Sequence, residues 1–255
     1  MASPVKTWIE RDGRLLRLRL DRPKANILDA AMNAALEQAL AQHAANSALR
    51  GILVDSAGGH FSFGASIEEH MPAQCAAMLE GFHRLVLKIF ASEIPVLMVV
   101  RGQCLGGGLE IVSAGHLIFA GADAKFGQPE IQIGVFAPAA SCLLPERVSL
   151  AAAEDMLLSG RSIDADEALR IGLVNQVSVD PEAAALAWFD KNLAPKSARS
   201  LRFATRAARQ DAVDRVAGKL KKIEKLYLDE LMATADAVEG LTAFIEKRPA
   251  QWKDA

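Results

Sequence analysis

Residues 95–130 read PVLMVVRGQCLGGGLEIVSAGHLIFAGADAKFGQPE. PVLMVV is a buried strand, and Gly106, Gly107 and Gly108 turn it into the apolar helical run LEIVSAGH. A further strand and a second turn complete the stretch. Glycine lets a ligand atom approach the backbone closely, and the first turn of a helix presents unpaired N–H groups with a partial positive charge. Together they make a site for an oxyanion, although a plain strand-to-helix turn needs no more than the same glycines. The stretch lacks the Lys-Ser/Thr pair of a P-loop and does not match the dinucleotide fingerprint. Glu110 falls in the first turn of the helix, where a carboxylate gains about 0.3–1 kcal/mol from the dipole. Its neighbours Leu109, Ile111 and Val112 are apolar, however, and a partly buried carboxylate needs a reason. Glu130 follows Pro129, as a residue at N2 of a helix with Pro at N1 would. Each glutamate alone reads as structural. As a pair at one oxyanion they handle protons and water, but spacing does not show whether they meet.

Working outward, LLRLRL at 15–20 alternates, with Leu16, Leu18 and Leu20 on one face, which predicts a half-buried strand. Asp29 caps a helix to about His43 that buries Met32, Leu36, Ala39 and Leu40. GILVD at 51–55 is a short buried strand, and SAGGHFSFGAS is a Gly/Ser-rich loop of the kind that carries function. Residues 73–91 form a helix burying Met78, Phe82, Leu85 and Ile89. Downstream, AAAEDMLLSG is a helix with Gly160 as its C′ residue. Asp164 caps a short helix that ends at Gly172, and LVNQV is the last strand. From Asp180 the pattern is helical almost to the end. The alternation is that of an α/β chain. A shift near Ala194–Pro195 divides an α/β body, 1–194, from a helical region, 195–255, that packs on the body or on a neighbouring subunit.

The 255 residues suffice for one large domain. A net charge of −2 gives no reason to expect a nucleic-acid or membrane partner, and no secretory signal or bilayer-length apolar run is visible. Cys75, Cys104 and Cys142 fit neither a disulfide framework nor a zinc motif, which suggests the cytoplasm. The five histidines show no metal-ligand pair at helical spacing, and no metal is expected. His60 and His70 read as solvated loop residues.

Several motifs carry a resemblance. RPKAN at 22–26, FSFGAS at 61–66, the glycine turn with Glu110, FGQPE at 126–130, LSGRSIDADEALRIGLVNQV at 158–177 and FIEKRPAQWKD at 244–254 resemble the enoyl-CoA hydratase/isomerase (crotonase) superfamily, in that order and over nearly the whole chain. The resemblance implies a spiral of ββα units with a C-terminal helical trimerisation region, assembled as a trimer or a dimer of trimers. It implies an acyl-CoA thioester substrate, with coenzyme A entering as part of the substrate and no other cofactor. The oxyanion donors are then the N–H groups of Ala65 and Gly107, and the catalytic pair is Glu110 and Glu130. CoA contacts map to Lys24, Ala25 and Ile67, with Phe244 and Lys247 supplied by a neighbouring subunit. Because both glutamates are present, hydration is favoured over isomerase or dehalogenase chemistry.

The chain also departs from the family. APAASCLLPERV at 137–148 replaces a glycine-rich segment, Ser66 replaces an aspartate, and Glu68 stands near a usual lysine. FGASIEEHM, RGQCLGGGLE and GVFAPAASCLLPERV look most like the branch that hydrates cyclic conjugated dienoyl-CoA thioesters in anaerobic aromatic degradation, downstream of benzoyl-CoA ring reduction. One alternative is hydration of linear 2-enoyl-CoA. Another, of a different class, is a non-catalytic acyl-CoA- or RNA-binding protein, since residues 196–225 carry ten Lys and Arg. A solvated helix face, or a surface near CoA phosphates, explains those cations better, because no RNA-binding motif accompanies them.

Overall fold

The computed structural model describes residues 3–254. In chain order the elements are β1 Val5–Glu10, β2 Leu15–Leu20, α1 Ala30–His43, β3 Gly51–Ser56, α2 Cys75–Phe90, β4 Val96–Val100, β5 Gln103–Leu105, α3 Gly107–Ala114, β6 Leu117–Gly121, β7 Lys125–Gly127, α4 Pro138–Leu143, α5 Leu150–Ser159, β8 Ser162–Asp164, α6 Ala165–Arg170, β9 Gln176–Ser178, α7 Pro181–Asn192, α8 Ala198–Lys225 and α9 Ala235–Glu246. The main sheet runs β1-β2-β3-β4-β6-β9 and a second, short sheet runs β5-β7-β8. Among the described residues only the β1–β2 and β7–β8 pairs are antiparallel. The chain repeats one move: a long strand in the main sheet, a short strand beside the second sheet, then a helix. β4-β5-α3 and β6-β7-α4 are two such turns. β3 to α2 is a third, in which Ser62 bridges Cys104. This is the ββα spiral.

β2 differs from its expected half-burial. Leu16, Leu18 and Leu20 do lie in the large core with α1 and α2. Leu15 faces the other way, into a second cluster with Leu53, Leu97, Phe119 and Phe189 of α7. The main sheet is therefore covered on both sides, as parallel sheets usually are. Arg17, which alternation assigned to solvent, is buried. Its guanidinium meets Asp55 at 2.6 Å, Glu182 at 2.5 Å and Glu10 at 3.1 Å, and lies over Trp8. The cause is α7, a cover supplied from far along the sequence that local alternation does not reveal.

The expected caps are present. Asp29 accepts from Met32 N, Asp164 accepts from Glu167 N, and Gly160 ends α5 at φ 65°. The helical run after Asp180 is interrupted twice, once before the Ser197 cap of α8 and once by a π turn at Leu226–Glu230. Val216, Leu220, Tyr227, Ala237 and Leu241 lie in the same core as the body. Arg199, Lys221 and Lys222 of α8 stay exposed, as a solvated face requires, but other cations of the helix are tied to the body. Arg202 donates to Asn46 O, Arg209 to Phe90 O and Ala114 O, Lys219 to Ser141 O, and Arg215 pairs with Glu146. Their long side chains tie the helix down onto backbone carbonyls and one carboxylate.

Candidate active site

The glycine turn is held from three sides. Gly106 N donates to Gly127 O at 2.9 Å, Leu105 N to Ser62 O at 3.0 Å, and Ser62 N to Gln103 O at 3.1 Å. FSFGAS therefore runs beside β5. It is locked in turn to RPKAN: Phe63 N donates to Ala25 O, Leu28 N to Gly64 O, and the Asn26 side chain to Ala57 O and His60 O. A Cβ added at Gly107 would stand 3.2 Å from Ala65 N, so the Ala65 and Gly107 amides lie side by side. Neither N–H has an acceptor among the described residues. Gly107 is the first residue of α3, where no intrahelical bond uses its N–H. Both donors are thus available to one oxygen.

The two glutamates meet at this turn. Glu110 is 5 % exposed, and its Oε1 accepts from Ala140 N at 2.7 Å, with Ala139 N also contributing. Both amides belong to the first turn of α4, so the helix begun by Pro138 holds the carboxyl group. Glu130 sits on a 3-10 turn, Pro129–Ile133, rather than on an α-helix. Its Oε1 would be 2.6 Å from a Cβ at Gly106, whose φ of 51° also favours glycine. With its amide turned to satisfy the carboxylate, buried Gln128 donates to Glu130 Oε2 at 2.9 Å. Burial raises Glu110 to about 7, opposed by the two α4 amides. Burial, then the neighbouring Glu110 carboxylate, raises Glu130 to about 8. The pair resists double ionisation and titrates as a unit near neutrality.

Ala65, Gly107, Glu110, Glu130 and Ile67 line one pocket, closed by Phe136 and its neighbours in 135–138. Five sequence-predicted site residues are thus brought together. Lys24 and Ala25 do not line the pocket: the Ala25 carbonyl accepts from the N–H of Phe63, which does, and Lys24 is exposed. Phe244, 55 % exposed, and Lys247 lie at the end of α9 and do not line the pocket. His60 and His70 are not solvated loop residues. His60 Nδ1 accepts from Gln103 N at 3.1 Å, and His70, which lines the pocket, bonds Ser66 O through Nδ1 at 2.7 Å. Ser66 Oγ donates to Glu68, which makes those two departures a local turn lock. His83 of α2 also lines the pocket, paired through Nδ1 with Glu224 of α8 at 2.5 Å. Its place on the apolar face that includes Phe82 was a signal the sequence offered; its partner, 141 residues away, was not.

The far end of α3 is closed by cations. Arg147 donates to Ser113 O and Gly115 O, and Arg209 to Ala114 O and Gly115 O. Burial lowers Arg147 to about 9 and Arg209 to about 10, each further than an arginine usually goes, and both lower His116 beyond what its burial does. Among the described residues no three His, Cys, Asp or Glu side chains gather as a metal site, and no helix is long and apolar enough to cross a membrane.

Comparison with known proteins bears on this geometry. The chain is 63% identical over 253 residues to a cyclohexa-1,5-dienecarbonyl-CoA hydratase of Thauera aromatica, covering 99% of this chain and 98% of that one. It is 31% identical to a carnitinyl-CoA dehydratase of Proteus mirabilis, over 94% of this chain and 95% of the other. A crystal structure of an enoyl-CoA hydratase from Mycobacterium avium superposes with a TM-score of 0.88 at 26% identity, covering 99% of this chain and all of that one. The family profile described as enoyl-CoA hydratase/isomerase matches residues 10–255, and with the ββα spiral and the glycine turn in place the chain belongs to that family.

Proposed function

We propose that the protein adds water to a cyclic conjugated dienoyl-CoA thioester, converting cyclohexa-1,5-diene-1-carbonyl-CoA into 6-hydroxycyclohex-1-ene-1-carbonyl-CoA. The observation that carries the reading is the meeting of Glu110 and Glu130 in one pocket with two unspent N–H groups. The likeness to the Thauera aromatica hydratase supports the choice of acyl group. The thioester oxygen accepts from Ala65 N–H and Gly107 N–H. Water attacks the ring carbon β to the carbonyl, losing one proton to an ionised glutamate. The electron pair moves through the α-carbon onto the oxygen, giving an enolate conjugated with the second double bond. The protonated glutamate then delivers its proton to the far end of that dienolate, and the double bond settles between the α-carbon and its other ring neighbour. One water enters, one proton returns to carbon, and the carboxyl pair ends with the proton count it began with. One oxyanion donor is worth about 2.7–4 kcal/mol in such reactions.

One carboxyl must be ionised and the other protonated, so turnover should fall on both sides of about pH 7–8. Lys24, Ala25 and Ile67 are the CoA contacts of this reading, with Phe244 and Lys247 reaching the CoA of a neighbouring subunit in a trimer or dimer of trimers. That role suits their distance from the pocket of their own chain. Coenzyme A enters with the substrate, no further cofactor takes part, and the enzyme works in the cytoplasm. The test is turnover of the cyclic dienoyl-CoA against crotonyl-CoA. Preference for the cyclic thioester is expected; efficient turnover of crotonyl-CoA alone would overturn the substrate.

A further inference from the structure

The pocket contains a polar group that the two-glutamate reaction does not use. His83 is 3 % exposed and lines the pocket from α2, beside Phe82, which reaches the Gly107 turn. Its Nδ1 lies 2.5 Å from Glu224 Oε2, while its Nε2 is buried and has no partner among the described residues. An ionised carboxylate only accepts, so Nδ1 carries the proton and Nε2 presents a bare lone pair. Burial lowers the imidazole and favours the neutral ring, against the opposing pull of Glu224. A buried acceptor without a donor costs free energy, and it belongs to a side chain that lines the pocket where water must react.

The proposed chemistry supplies the donor. In a 1,4-addition, the water and the incoming proton act at opposite ends of the ring. One glutamate takes a water proton and the other is committed to the distant carbon. The water's second O–H, which survives as the product hydroxyl, then needs its own acceptor in a pocket lined mainly by apolar side chains. We infer that His83 Nε2, oriented by Glu224, accepts a hydrogen bond from that O–H and aims the water's lone pair at the ring. No proton passes to the imidazole, so the balance of the reaction is unchanged. Among the described residues the charged and titratable groups around this site are Glu224 from α8, Glu110 from α3, Glu130 from the 3-10 turn, His70 from the loop before α2, the thiols of Cys75 and Cys142, and Tyr227 from the turn after α8, whose buried hydroxyl is also without a partner. This role rests on the hydration proposed above.

The experiment compares wild type with His83→Leu, His83→Gln and Glu224→Ala on the cyclic dienoyl-CoA and on crotonyl-CoA. Melting midpoints and CoA-thioester affinity are measured alongside. His83→Leu should lower kcat on the cyclic substrate about 10- to 100-fold, with KM and the melting midpoint little changed. Glu224 is 31% exposed and can re-solvate once its partner is gone. Gln places an amide oxygen near the position of Nε2 and should restore most of the rate. Glu224→Ala should fall between. Full cyclic turnover by His83→Leu, or a lower melting midpoint with unchanged kcat, would overturn the role and leave the substrate assignment standing. Wild type active on crotonyl-CoA alone would overturn the substrate, and the His83→Leu ratio on crotonyl-CoA would then decide the role. Long-range proton–nitrogen NMR of the free protein is a separate arm that needs no turnover: Nδ1 protonated and Nε2 bare is expected, and the reverse tautomer would overturn the inference.

Discussion

Both ends of α3 leave backbone groups without intrahelical partners, and the two ends are treated in opposite ways. At its C-terminus the carbonyls of Ser113, Ala114 and Gly115 are saturated by the guanidinium groups of Arg147 and Arg209. At its N-terminus the Gly107 N–H is left unspent beside that of Ala65, with two raised carboxyls around it. Unpaired helix-end groups are normally satisfied. Closing one end firmly while the other stays open points to a terminus kept for a ligand oxygen. The cations at the closed end also complement the helix dipole, whose positive end faces the pocket.

The contrast breaks hardest at the open end. Glu110→Gln and Glu130→Gln should each lower kcat by about 10²–10⁴-fold, while CoA-thioester affinity stays within about tenfold, ~1.4 kcal/mol. Stopped-flow turnover with equilibrium binding checks this, and near-normal rates in either variant would remove that glutamate from the chemistry. Gly106→Ala acts next, through the backbone. Its φ of 51° and the 2.6 Å approach to Glu130 Oε1 both resist a Cβ. A loss of about 1–3 kcal/mol in stability and about 10² in rate from displaced donors is expected in denaturant melts and kinetics.

At the closed end the effects reverse in kind. Arg147→Ala leaves buried carbonyls short of partners and should cost about 1–3 kcal/mol of stability, with kcat of the folded enzyme moving less than tenfold. An equal loss of rate would mean that both ends serve catalysis directly. The smallest effect is electrostatic. A carboxyl raised on folding contributes stability that is full below its ordinary unfolded value and is lost as pH climbs through its folded value. For Glu130 that window ends near 8. Glu130→Gln should therefore gain on wild type in denaturant midpoint as pH rises from about 5 to 9, and a constant difference would contradict the raised value.

How much of this was legible in the sequence follows the range of each interaction. Asp29 and Asp164 capped their helices as read, and the α2 face of Met78, Phe82, Leu85 and Ile89 was buried as its spacing required. β1 escaped the reading, and β5 and β7 are three residues each, too short for a period to register. The buried side of Leu15 and Arg17 depends on α7, more than 160 residues on. In the site, the glycines and glutamates were visible as residue types, while their meeting was not. The partners of Glu110 are backbone amides of α4, which no side-chain motif announces. The departure at 137–148 was seen as a difference from the family; that it begins the helix holding Glu110 needed the fold. His83 was visible only as one histidine among five until Glu224 stood beside it.

The central claim is that this pocket adds water across a cyclic diene, with the proton going to the far end of the dienolate. The most direct test is to incubate the protein with cyclohexa-1,5-diene-1-carbonyl-CoA in deuterium oxide and locate the label in the product by NMR. The account predicts a hydroxyl at C6 and one deuterium at C3 of the cyclohexene ring, on the allylic carbon across from the hydroxyl. Deuterium on the α-carbon, or no hydrated product, would contradict it.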